Sequence, residues 1–169
     1  INRLHENASW SLNGNFVDVP TDCPQRDERL GWTGDAQVFC PLANYMRDGQ
    51  QFFKKYLRDM VADQREDGGI PYTIPDATRH YDKGLPNFYG STGWADAICN
   101  IPWTIYLFYG DTDVLSDCLP AMQGWVDFLN SYAPNGIVEN EQHVEAKSFT
   151  FGDWLQPTDF EGILPPNSK

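Results

Sequence analysis

Between Asp22 and Asp35 the chain runs Asp22-Cys23-Pro24-Gln25-Arg26-Asp27-Glu28-Arg29-Leu30-Gly31-Trp32-Thr33-Gly34-Asp35. This stretch sets four carboxylates, two guanidinium groups and one indole within 14 residues. Pro24 and the glycines forbid a regular helix through it, so its side chains can converge on one point instead of spiralling away. A carboxylate beside an arginine is held ionised. A carboxyl flanked by other carboxylates, or set against a tryptophan, is pushed up and stays protonated near neutral pH. The second state is what a general acid requires. The plain alternative is a solvated loop whose surface ion pairs contribute little.

Other reactive residue types are less suggestive. His5, His80 and His143 show no ligand spacing. Cys23, Cys40, Cys99 and Cys118 include no C-x-x-C pair, so no zinc pattern arises and no metal is expected. Free, buried thiols are the expectation, although bridging is open to four cysteines. Asp111-Thr112-Asp113 lacks the glycine and distal glutamate of a calcium loop and reads as a helix cap. Arg79-His80-Tyr81-Asp82 either shapes a pocket wall or is simply exposed, and Asp96 and Asp153 either bind ligand hydroxyls or pair with loop backbone.

Lys plus Arg is 12 and Asp plus Glu is 24, giving a net charge of −12. That sign excludes the basic stripe of a nucleic-acid surface and disfavours anionic membranes. No apolar run approaches the roughly 18 residues of a membrane span. With 41% hydrophobic and 14% aromatic residues, the chain is too apolar to remain disordered. Acidic and rich in Trp, Gly and Pro, it has a profile suited to neutral sugars, whose C–H faces stack on rings and whose hydroxyls donate to carboxylates. The first residue, Ile1, is not preceded by a signal-like segment, and the closing Pro165-Pro166-Asn167-Ser168-Lys169 ends no element. The expectation is an internal piece of a longer polypeptide.

The elements that must position these residues are helical. Phe52, Phe53, Tyr56, Leu57, Met60 and Val61 recur at helical spacing, with Asp48 as N-cap and Gly68-Gly69 as stop. Val114, Leu115, Cys118, Leu119, Met122, Val126 and Leu129 repeat the pattern behind an Asp111 or Thr112 cap. The segment from Trp94 to Tyr109 is apolar nearly all round, which predicts a buried helix, with a bend or a break near Asn100 imposed by Pro102. Residues 35–47 form a further helix kinked at Pro41, and residues 1–12 the tail of another. Residues 13–34 and 66–93 are long loops rich in Trp, Tyr, Asp and Arg, and such loops are commonly functional. Short strands are expected near Ile137–Val138 and Phe149–Phe151. Long apolar helices with ligand-rich loops fit a helical barrel, which needs roughly a dozen helices of about 11–12 residues. This chain supplies about half of them.

The run DVPTDCPQRDERLGWTGDAQVF (Asp18 to Phe39) closely resembles the signature of bacterial α-L-rhamnosidases of glycoside hydrolase family 78. The resemblance continues in order through FFKKYLRDM (52–60), DGGIPYTIPD (67–76), GWADA (93–97), PWTIYLFYGDTDVL (102–115) and FGDWL (151–155). It implies an all-α fold, the first half of an (α/α)6 barrel over residues 1–169. It also implies hydrolysis of terminal α-L-rhamnosides with inversion and without a cofactor. Glu28 takes the position of the family's general acid. Asp22, Arg26, Trp32 and Asp35 match sugar-contacting positions, and Trp94 and Trp154 look like pocket aromatics. Asp27 is the rival acid, placed second because neighbours in an extended loop point different ways.

In that family the general base is a glutamate further along the barrel. Glu139, Glu141, Glu145 and Glu161 sit in no matching context, so the base is expected beyond Lys169 and this chain alone should be inactive. The implied partners are a rhamnose-containing glycoside or polysaccharide and the remainder of the parent chain, with self-association of the exposed half-barrel. Phe39, Trp103 and Trp125 are then expected partly in solvent or at a contact with another chain. Polysaccharide breakdown favours a periplasmic or extracellular parent over a cytoplasmic one. A non-catalytic sugar-binding helical module is the competing reading. A uronoside-acting enzyme on the same barrel fits poorly, because the key loop offers Arg26 and Arg29 beside four carboxylates.

Overall fold

The computed structural model describes residues 1–77, 79, 89–133 and 135–138. They fold into helices α1 (Asn2–Asn15), α2 (Thr33–Met46), α3 (Gln50–Asp63), α4 (Ala97–Tyr109) and α5 (Thr112–Tyr132). Among the described residues there is no strand, only isolated bridges, so the all-α expectation holds. Ile137 and Val138 are not extended into one; residues 149–151 lie outside the described residues. No described helix is long and apolar enough to cross a membrane.

Helix α3 buries Phe53, Tyr56, Leu57 and Met60, the stripe its spacing predicts. Its ends differ from expectation. Gly49 is the N-cap, and Asp48 sits one residue back, its Oδ1 accepting the Gln50 N–H at 3.2 Å. The helix also stops at Asp63, ahead of Gly68-Gly69. Those glycines serve a close crossing instead. A Cβ on Gly68 would lie 2.1 Å from the Gly124 carbonyl oxygen of α5, and its φ is +93°. Gln64 fastens the crossing by donating to the carbonyls of Gly68 at 2.8 Å and Ala121 at 3.0 Å.

Helix α4 begins at Ala97, and residues 94–96 form a turn before it. No break appears at Asn100. A proline at position 102 forfeits one bond, to the Ile98 carbonyl, and the helix continues because its neighbours bury it. Ala97, Ile98, Ile101 and Ile105 face α2, α3 and α5, while Trp103 and Leu107 are 53% and 63% exposed. The helix is therefore buried on one side only. Helix α2 likewise runs through Pro41 as one element. Asp111 caps α5, accepting the Val114 N–H at 3.1 Å. The same carboxylate pairs with Lys54 at 2.7 Å and accepts from Gln50 at 2.8 Å. These donors, Lys54 first, hold it down at about 2.

Trp125 departs from expectation. It is 1% exposed, stacked on Phe128 at 5.4 Å between ring centroids. Its indole N–H donates to Asp96 at 3.0 Å, and Tyr89 packs against the neighbouring Phe128. Phe39 is half-buried. All four cysteines are free; burial raises the thiols of Cys40 to about 12 and Cys118 to about 11.

Candidate active site

The loop from Asp22 to Leu30 closes on itself. The Asp22 N–H donates to the Leu30 carbonyl, and the Leu30 N–H donates to Asp22 Oδ1, each at 3.0 Å. Inside, the Glu28 N–H donates to the Arg26 carbonyl at 2.8 Å, and Arg29 Nε to the Pro24 carbonyl at 3.1 Å. Arg29 adopts a left-handed backbone, φ 55°, which turns the chain sharply after Glu28.

The end of the loop is docked from below. The Ile74 N–H and the buried Tyr56 hydroxyl both donate to the Gly31 carbonyl at 2.9 Å. The Thr33 N–H donates to the Tyr72 carbonyl at 2.8 Å. A Cβ at position 31 would stand 2.2 Å from the Ile74 oxygen, so only glycine permits this approach. The strip at 72–76 is itself held by a 2.6 Å Arg65–Asp76 ion pair and by the Asp76 N–H on Asp63. Arg79 reaches back to Asp63 at 3.3 Å, a structural pairing. From this base α2 starts at Thr33 and carries Asp35 in its first turn.

Glu28 stands at the centre. Arg26 Nη2 and Nε approach its Oε2 at 2.7 and 2.9 Å, and Trp32 Nε1 donates to its Oε1 at 3.0 Å. Both arginine nitrogens thus address one oxygen, leaving the other to the indole. Asp22 stands beside Glu28, with carboxylate oxygens of the two within 4.8 Å. For Asp22, burial acts upward, but hydrogen bonds from the Cys23 N–H, from Glu28 and from the Leu30 N–H outweigh it, and its carboxyl is held below the usual range. Arg26 is raised by its bond to Glu28.

Asp35 moves the other way. Partial desolvation, then the charges of Asp22 and Glu28, raise its carboxyl. Its side chain also reaches solvent, and water screens part of that effect. Asp22 and Asp35 share a cleft of about 280 Å³ with Leu12, Phe16, Thr21 and Phe39. Asp27, in contrast, points into solvent and pairs with Arg29 at 3.1 Å. Trp94 packs on the first turn of α2, one residue before Asp35: a Cβ on Gly34 would lie 2.9 Å from its Nε1. Trp154, His80, His143, Tyr81, Asp82, Asp153 and the glutamates at 139, 141, 145 and 161 lie outside the described residues.

Among the described residues, Asp22, Cys23 and Glu28 are the group with metal-ligand atoms in mutual reach, within 4.8 Å. The Arg26 guanidinium on Glu28 opposes a cation there, and burial and Asp22 raise the Cys23 thiol, keeping it protonated. The arrangement suits hydroxyl recognition and proton transfer better than metal binding. Tyr56 and Gln37 were not singled out from the sequence. Tyr56 sits in an apolar stripe, where only its hydroxyl hints at a polar task.

Residues 1–168 match the model of the bacterial alpha-L-rhamnosidase 6 hairpin glycosidase domain. The chain belongs to this family. An alpha-L-rhamnosidase from Alteromonas sp. (strain LOR) is 43% identical over 157 residues, 93% of this chain and 15% of that protein. The crystal structure of the Streptomyces avermitilis alpha-L-rhamnosidase complexed with L-rhamnose superposes with a TM-score of 0.77 at 38% identity. It covers 91% of this chain and 14% of its own. The alpha-L-rhamnosidase structure from Dictyoglumus thermophilum gives a TM-score of 0.73 at 37% identity, over 82% of this chain and 15% of its own. The helices are thus part of a six-hairpin glycosidase domain, and the chain spans about 15% of the length of the curated relatives it matches.

Proposed function

We propose that the chain is the N-terminal half of the catalytic domain of an inverting α-L-rhamnosidase, with Glu28 as general acid. The observation that carries this reading is the convergence of Glu28, Asp22, Arg26 and Trp32 on one point, where Arg26 and Trp32 are set to stabilise the carboxylate that proton transfer leaves and Asp22 lies within 4.8 Å to favour the protonated form beforehand. Asp27, its rival, faces solvent.

In the reaction Glu28 gives its proton to the glycosidic oxygen as the C–O bond breaks. The carboxylate left behind is the species that Arg26 and Trp32 stabilise, in place before the charge forms. Asp22 and Asp35 accept sugar hydroxyls and face the positive charge that grows on the ring. Trp32, Trp94 and Trp154 supply apolar wall for the C5 methyl of rhamnose. A second carboxylate, roughly 6.5–9.5 Å from the first, must activate water on the opposite face. We place that base outside these 169 residues. The remainder of the polypeptide then covers the exposed apolar faces of α2 and α4, where Val38, Tyr45, Trp103 and Leu107 lie. Isolated, the segment is expected to associate with rising concentration in sedimentation velocity; a monomer at every concentration would contradict that.

The test is hydrolysis of p-nitrophenyl α-L-rhamnoside by the full-length polypeptide and by the segment, with proton NMR of the first sugar released. The full-length protein should release β-L-rhamnose first and the segment none. Rhamnose binding without turnover in the full-length protein would favour a sugar-binding module, and an α-anomer released first would exclude inversion.

A further inference from the structure

The turn that carries Trp94 is fastened by side chains that do not themselves belong to the cleft. Gly93 has a φ of +79°, in the left-handed region. Its N–H donates to Asp96 Oδ2 at 2.8 Å, and its carbonyl accepts from Gln37 Nε2 of α2. Gln37 Oε1 in turn accepts from Asn100 Nδ2 of α4 at 2.6 Å. The other oxygen of Asp96, Oδ1, accepts from the buried indole N–H of Trp125 on α5 at 3.0 Å. Both carboxylate oxygens are therefore engaged, one by the turn and one by the core. That arrangement argues against Asp96 as an acceptor for sugar hydroxyls.

We propose that Asp96 is a positioning residue: held by Trp125, it fixes the Gly93–Trp94 turn so that the Trp94 indole stays packed on Gly34, beside Asp35. The proposal rests on the reading of Trp94 as a wall of the sugar site. A carboxylate suits the task because it accepts two donors at once and offers none. An amide in its place presents an N–H to one of the two donors and leaves that pair unmatched. The indole then loses its fixed place, and what is lost is sugar binding, not proton transfer.

The experiment measures KM and kcat for p-nitrophenyl α-L-rhamnoside on the full-length polypeptide, in Asp96→Asn, Trp125→Phe, Trp94→Ala and each of the first two combined with Trp94→Ala. Asp96→Asn should raise KM about tenfold, the scale of one lost hydrogen bond to a charged group, with kcat much less affected. Trp125→Phe, which keeps the ring and loses one donor, should raise KM in the same direction; it decides the point even where Asp96→Asn does not fold. Neither change should add to Trp94→Ala, because both act through that indole. Full additivity with Trp94→Ala would overturn the proposal. So would a normal KM in Asp96→Asn and Trp125→Phe beside a raised KM in Trp94→Ala, which leaves the site reading intact. A normal KM in Trp94→Ala would overturn that reading, and the proposal with it.

Discussion

The loop holding Glu28 and the turn holding Trp94 are held in place by opposite means. In the loop the partners are local: Arg26 with Glu28, Arg29 with Asp27, Asp22 with Leu30. In the turn they come from afar: Gln37 from α2 and Trp125 from α5. Local pairs between exposed side chains form and break easily, which suits groups that must exchange a proton or a sugar hydroxyl. Bonds that tie a turn to distant helices, one of them from the buried Trp125 indole, hold it against local fluctuation, which suits a wall that must not move. Under the proposed function, the loop carries the chemistry and the turn the shape.

The largest effect tests the loop. Glu28→Gln in the full-length polypeptide should lower kcat on an alkyl α-L-rhamnoside by about 10²–10⁴-fold with little change in thermal stability, read by rhamnose release and a melt. A loss of fold instead would mean the loop is structural and the comparison false. Next comes the place where the loop ceases to be local. Gly31→Ala drives a Cβ onto the Ile74 carbonyl oxygen, 2.2 Å away, and should cost about 1–3 kcal/mol in urea unfolding. An unchanged midpoint would show that the loop does not need its dock.

Asp111 provides a long-range pair with a pH signature. Its carboxyl lies at about 2 in the fold against an ordinary 3.8, so its contribution is present above 3.8 and lost as pH falls toward about 2. Asp111→Asn should therefore lower the urea midpoint at neutral pH, and the gap to the parent should close in acid. A gap independent of pH would assign the stability to shape, not charge. The smallest effect is at Asp27. Asp27→Asn removes an exposed pair worth at most about 1 kcal/mol and should leave turnover near the parent value. A large loss of kcat there would move the acid from Glu28 to its neighbour.

The same division explains what could be read from the sequence. Helices α3 and α5 were legible because their apolar residues repeat at helical spacing and Asp111 announces a start. The charged loop was legible because its partners are neighbours in the chain. The start of α4 was not: Trp94 continues the apolar run, but Asp96 takes the Gly93 N–H and Trp125 takes Asp96, so the turn wins over the helix. Gly68-Gly69 resembled a helix stop, yet the close approach to Gly124 is what Gly68 serves, and no local pattern reveals it. The burial of Trp125 is not legible because the partner of its indole N–H, Asp96, lies 29 residues away. Trp32 and Arg26 were named as sugar contacts; their shared grip on Glu28 became visible only in three dimensions.

The most direct measurement is the leaving-group dependence of Glu28→Gln in the full-length polypeptide. A dinitrophenolate departs without a proton, whereas an alkyl alcohol cannot. If Glu28 is the acid, the substitution should cost about 10²–10⁴-fold on an alkyl α-L-rhamnoside and far less on the dinitrophenyl α-L-rhamnoside. Equal losses on both substrates would contradict the assignment of Glu28 as proton donor.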